Sequence, residues 1–226
     1  MAIVAARESF FETGLEILAE LGFGELKLAE VCGRLGVTTG SFYHYFRSWH
    51  VYTRDLVGYW RQDRTLAMAE VLRREPDPRE RMKAIIEAAL ALPHGAEAAI
   101  RAWSSTDPDV YAVQVEVDRD RFALCYDYAN EIVNDARQAE VFANWAIYLL
   151  VGYEQSTLQR DPLIYEWISN QMLDHLESGR FTTVPPRWAW ISGAARAVGA
   201  AASRATDASS RRAIMRPAYV LSLIHI

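Results

Sequence analysis

Within eight residues, Thr38, Thr39, Gly40, Ser41, Tyr43, His44 and Tyr45 bring together hydroxyls, a bare backbone position and three polar-tipped rings. At the start of a helix, such groups bond phosphate oxygens and base edges, and lay methyl groups and rings against thymine. That chemistry is recognition, and bond-breaking candidates are weaker. His94 with Glu97, His175 with Asp174, and Asp107 with Asp109 read as acid–base or metal-ligand pairs. None lies in an HExxH, GxSxG or GxxxxGK[ST] setting, and no two histidines share a helical face. No catalytic residue, metal ligand or cofactor is therefore assigned, and a small helical enzyme stays a remote alternative.

A recognition surface needs elements that hold it, and the flanking residues supply them. Leu28, Val31, Cys32 and Leu35 fall at i, i+3, i+4 and i+7, one apolar face of a helix. Gly36 ends that helix where a left-handed residue is cheap, and Val37 plugs the angle behind it. Thr38 is the expected N-cap of the next helix. There Phe42 and Phe46, four apart, face the core and leave Thr39, Gly40, Ser41, Tyr43, His44 and Tyr45 outward. The pattern is a helix-turn-helix.

Here the chain resembles the TetR (tetracycline repressor-like) family of transcriptional regulators. The resemblance runs from Arg7 to about Trp60, on Phe10, Gly14, Ile17, Leu18, Gly22 and Phe23, then on LGVTTGSFYHYF. It implies that Thr38, Thr39, Gly40 and Ser41 open the recognition helix and that Tyr43, His44 and Tyr45 touch bases and backbone. Two positions depart from the family pattern. Trp49 stands where a lysine normally opens the fourth helix, and Lys27 where a threonine or serine usually caps the second. Lys27 supplies charge to phosphate, whereas Trp49 offers only an indole N–H. A TetR-like protein that has lost DNA binding is therefore the alternative function.

The chain carries 24 Lys and Arg against 29 Asp and Glu, a net charge of −5 over 226 residues. Nucleic-acid binders are more often basic. Locally, the stretch from Arg34 to Arg64 holds five arginines against Asp55 and Asp63, while Glu8, Glu12, Glu16 and Glu20 line the first helix. An acidic chain that is basic only near its recognition helix escapes nonspecific trapping on DNA. Cys32 and Cys125 lack metal spacing and read as buried free thiols in a reducing cytoplasm. No apolar run is long enough to span a bilayer, so no membrane role is expected.

The remaining pattern is helical, giving an all-α chain of about nine helices, three of them in the head. Residues 1–48 are the expected DNA-binding domain and 49–180 a helical regulatory and dimerisation domain. A long fourth helix runs from about Trp49 to Leu72, and helices follow at about Arg79–Ala91 and Ala96–Ser104. Asp107 and Pro108 open a helix or helix pair to about Asn134; Gln138–Gln159 and Pro162–Leu176 are the last two. Phe142, Leu149, Tyr153, Ile164, Ile168 and Met172 make wide apolar faces on those two and are the expected homodimer interface. Trp103, Tyr111, Phe122, Tyr126, Trp145 and Tyr148 are the expected lining of a small-molecule effector pocket. The resemblance then implies a ligand-responsive repressor, bound as a dimer to a palindromic double-stranded operator.

Residues 181–226 change character, being rich in Ala, Arg and Ser, with six arginines against Asp207 from Pro185 onward. The terminal LSLIHI reads like a translated sequencing adapter, and the stretch before it like GC-rich DNA out of frame. A disordered basic tail or a sequencing or frame artefact is expected there.

Overall fold

Proline and aspartate set the helix boundaries. In the computed structural model, which describes residues 7–183, Asp77, Asp107 and Asp161 each accept a bond from backbone N–H groups two or three residues on. Each is followed by proline at the first helical position, where no N–H is lost. The helices are α1 (Arg7–Leu21), α2 (Leu28–Leu35) and α3 (Thr39–Tyr45), then α4. Helix α4 combines Trp49–Arg61, a π turn at Gln62–Leu66, and Ala67–Leu72. Backbone angles stay right-handed helical across both junctions, so the chain continues as one helix. Helices α5 (Pro78–Leu90), α6 (His94–Ser104), α7 (Pro108–Val133), α8 (Ala136–Gln155) and α9 (Pro162–Glu177) complete nine among the described residues. There is no strand among them.

The structure selects one of the two sequence alternatives after Pro108 and shortens the helix that follows. The segment after Pro108 is a single helix of 26 residues, closed by Asn134 in the left-handed region at φ 50°. Helix α8 stops at Gln155, short of Gln159, because Ser156 turns extended and its hydroxyl accepts from the Leu158 N–H at 3.1 Å. The tail beyond Thr183 lies outside the described residues.

The head is cored by aromatic rings. Phe10, Phe42, Phe46 and Tyr52 are fully or almost fully buried, and the Phe10 ring meets Phe42 and Phe46 edge-on at 5.8 and 5.6 Å. Such edge contacts add to the burial of the rings themselves. The Tyr52 hydroxyl donates to the Phe10 carbonyl at 2.8 Å, satisfying a buried polar group and tying α4 to α1.

The head packs directly on the helices that follow it. At Gly95 in α6 a Cβ would stand 2.7 Å from the Ala19 carbonyl oxygen, so the two backbones meet where only glycine fits. Phe23 stacks on Trp103 at 4.6 Å alongside. The head is thus held by α6 as well as by its own continuation, α4.

Candidate nucleic-acid interface and buried cavity

Helix α3 is presented as its sequence requires. Gly36 closes α2 at φ 64°, in the left-handed region, and the Thr38 hydroxyl accepts from the Ser41 N–H at 3.2 Å. Phe42 and Phe46 are buried, while Thr39, Gly40, Tyr43 and His44 are exposed. Ser41 is half-buried, with its Oγ 3.2 Å from that of Thr38. Tyr45, expected outward, is also half-buried, because its ring packs 5.5 Å from Phe10. With Phe42 buried in this seven-residue helix and Phe46 buried directly after it, the intervening Tyr45 has little room to turn fully outward.

The two departures from the family pattern have structural explanations. The Trp49 ring leans on Tyr52 at 4.9 Å and Phe42 at 5.9 Å, so it extends the aromatic core under α3. Lys27 is exposed and its ammonium lies 3.0 Å from the Glu25 carboxylate, which already offsets its charge.

Charge pairing also reshapes the basic stretch read from sequence. Arg34 pairs with Glu20 and Glu30, Arg54 with Asp55, Arg61 with Glu116 and Asp120, and Arg64 with Asp63. Arg47, just after α3, is exposed and has no ion pair among the described residues. Sequence reading counted it only in a charge balance; its position directly after the recognition helix was the available signal.

Behind the head, α4, α5, α7, α8 and α9 line a cavity of about 100 Å³ that is partly open to solvent. Its walls are mainly aliphatic and sulfur-bearing, with Met68, Met82, Met172 and Cys125 among them. Thr65 in the π turn and Arg121 in α7 supply polar groups. Burial pushes the Cys125 thiol up to about 12, far from the reactive thiolate range. Of the aromatics expected to line a pocket, none reaches this cavity. Trp103 stacks on Phe23 and donates to Asp107 at 3.2 Å, and Phe122 stacks on Tyr126 at 6.1 Å. Tyr111, Trp145 and Tyr148 are exposed. Longer aliphatic side chains from five helices fill the centre, while these rings cover its outside or support the head.

Arg121 anchors a buried polar cluster at the edge of the cavity. Its guanidinium binds Glu97 at both carboxylate oxygens, 3.0 and 3.1 Å, and donates to the Thr65 hydroxyl at 3.3 Å. The Trp60 indole N–H donates to the same carboxylate at 2.8 Å. The cluster joins α4, its π turn, α6 and α7. Glu97 is therefore committed to Arg121 and Trp60, and His94 faces Glu154 at 3.4 Å instead. Asp107 caps α7 through the Asp109 and Val110 N–H groups. Among the described residues no cluster of metal-ligating side chains occurs, and no helix is long and apolar enough to cross a membrane.

The expected dimer residues divide between inside and outside. Phe142 and Met172 are buried within the protomer, where both line the cavity, which removes them from an interface. Leu149, Tyr153 and Ile168 are half-buried and Ile164 is exposed. Trp145 and Tyr148 on α8 and Leu163, Ile164 and Trp167 on α9 are the exposed large apolar side chains of these helices. The apolar pattern runs widely around both helices, so spacing alone did not select the outer side.

Comparison with known proteins matches residues 3–48, the whole helix-turn-helix head, to the model for bacterial regulatory proteins of the tetR family. The head is that of a tetR-family regulator. The chain is 23% identical over 166 residues to the HTH-type transcriptional regulator BetI of Proteus mirabilis, covering 69% of its own length and 82% of that protein. Its fold is that of a transcriptional regulator from Rhodococcus sp. Rha1, with TM-score 0.65, 17% identity, and 77% and 97% of the two chains covered. A transcriptional regulator of Saccharomonospora viridis in complex with choline matches with TM-score 0.64 at 15% identity, over 75% and 95% of the two chains. The chain thus joins a tetR-type helix-turn-helix head to a helical body with the fold of such regulators.

Proposed function

We propose that this regulator is a ligand-responsive repressor of the bacterial cytoplasm, binding a palindromic operator as a homodimer. The observation that carries the reading is the continuity of α4, which starts beneath the recognition helix and places its π turn in the cavity wall. π turns of this kind are frequent at functional sites. Thr39, Gly40, Tyr43 and His44 on the outer face of α3 meet bases and phosphates, and Thr38 and Ser41 hold its start. The exposed apolar side chains of α8 and α9 pair with those of a second copy. Two-fold symmetry then sets recognition helices one DNA turn apart, about 34–36 Å, or a multiple of it. An effector in the cavity bears on Arg64 and Thr65 of the π turn, and so favours one head spacing over another. The choline complex of a structural neighbour supports effector binding among proteins of this fold.

A specific observation favours a second reading, a regulator-like protein that no longer reads DNA. Helix α3 carries no lysine or arginine, Lys27 is paired with Glu25, and Trp49 is committed to the core. A mobility shift of the full chain on the DNA flanking its own gene separates the two. Repression predicts a palindrome-dependent shift that weakens with salt and is lost in Tyr43→Ala, whose ring is exposed and removable without unfolding the head. A folded dimer that shifts no such fragment selects the second reading.

A further inference from the structure

The walls of the cavity restrict the chemistry of what it takes. Two charged residues line it, Arg64 and Arg121, and no aspartate or glutamate does. Both arginines are already compensated, Arg121 by the buried Glu97 and Arg64 by Asp63 at 3.0 Å. An anion entering the cavity would therefore add an unbalanced buried charge, and a cation would meet no lining carboxylate. Either is strongly disfavoured in an apolar enclosure. A neutral hydrogen-bond acceptor, by contrast, finds a partner. Three of the five N–H groups of Arg121 are used by Glu97 and Thr65, which leaves one on each terminal nitrogen. Apart from Thr65, Cys125 and the hydroxyl-bearing Tyr165 and Ser169 of α9, the remaining wall is methionine, isoleucine, leucine, alanine and phenylalanine, with soft methionines that adapt to a flat or irregular guest. The volume of about 100 Å³ is somewhat below that of a cavity of about 150 Å³ that holds benzene, but the cavity is partly open to solvent, which leaves room for a substituent beyond one ring.

From these observations we infer that the effector is a neutral, largely apolar molecule of about one ring, carrying a hydrogen-bond acceptor that meets Arg121. This deepens, and rests on, the reading of the cavity as the effector site.

Four probes of similar shape test it by titration calorimetry on the full chain: acetophenone, ethylbenzene, benzoate and benzylammonium. Acetophenone is expected to bind about ten-fold or more tightly than each of the other three. Ala146→Leu, which adds bulk to the cavity wall, is expected to abolish acetophenone binding in a protein that still melts cooperatively. Benzoate or benzylammonium binding as tightly as acetophenone overturns the assignment, as does ethylbenzene doing so or the absence of binding by all four. Unchanged acetophenone affinity in a folded Ala146→Leu protein also overturns it. Operator affinity measured with and without acetophenone reads the functional proposal separately. Tight acetophenone binding that leaves operator affinity unchanged supports the ligand class and removes the ligand-responsive reading.

Discussion

Glu97 and Arg121 form a two-pronged ion pair in which the carboxylate is 2% exposed and the guanidinium side chain 10%. The pair joins α6, which holds the head, to α7, which walls the cavity. Removing one partner strands a buried charge and costs about 3–5 kcal/mol, whereas replacing both by apolar groups is often neutral or favourable. Glu97→Gln is expected to lower the thermal midpoint sharply, and Glu97→Gln with Arg121→Met to recover much of the loss. Thermal and urea unfolding of the three proteins check this; a single variant as stable as the parent contradicts it.

Arg47 follows the recognition helix without an ion pair among the described residues. On the proposed DNA-binding reading it is a phosphate contact, which lends affinity without sequence preference. Arg47→Ala is expected to weaken operator and random DNA alike and to reduce the salt slope of binding by about 1. Fluorescence anisotropy across a salt series measures both effects. A loss restricted to the operator would make Arg47 a base-reading residue.

Glu154 is buried beside His94 and Tyr165, and its Oε2 has no hydrogen-bond partner among the described residues. Burial raises its pKa above the usual 4.5, against the opposing pull of the His94 contact. Because the folded value lies above the unfolded one, the stabilisation from the protonated form is complete below pH 4.5 and fades as pH rises through the folded value. At neutral pH the carboxylate is thus a burden that Glu154→Gln relieves. The variant is expected to melt about 2–4 °C higher at pH 7, the shift given by about 1 kcal/mol in a chain of this size. Its advantage should shrink toward zero as pH falls past 4.5, which a pH series of melting curves tests.

Trp167 is 64% exposed on α9, beside Ile164 at 58% and Leu163 at 74%. Large exposed apolar groups of this kind mark contact surfaces, and buried tryptophans dominate their energetics. Trp167→Asp is expected to weaken the proposed dimer by about 30-fold or more while helix content stays unchanged. Light scattering with size-exclusion chromatography gives the mass directly. An unaltered dimer would place the interface on another face.

The sequence by itself determined what depends on neighbours in the chain. The turn at Gly36, the cap at Thr38, the burial of Phe42 and Phe46, and the starts at Pro78, Pro108 and Pro162 follow from backbone geometry and spacing within a few residues. Tertiary structure decided what depends on partners far along the chain. Arg34 meets Glu20 and Arg61 meets Asp120, so a basic stretch counted from sequence is largely neutralised in space, and Arg121 meets Glu97 in the interior. It also decided rotation. Helices α8 and α9 are apolar over wide faces, and only packing turned Phe142 and Met172 into the cavity and left Trp145 and Trp167 outside. Periodicity marks a buried stripe when the opposite face is polar; where both faces are apolar, volume and contact choose between them.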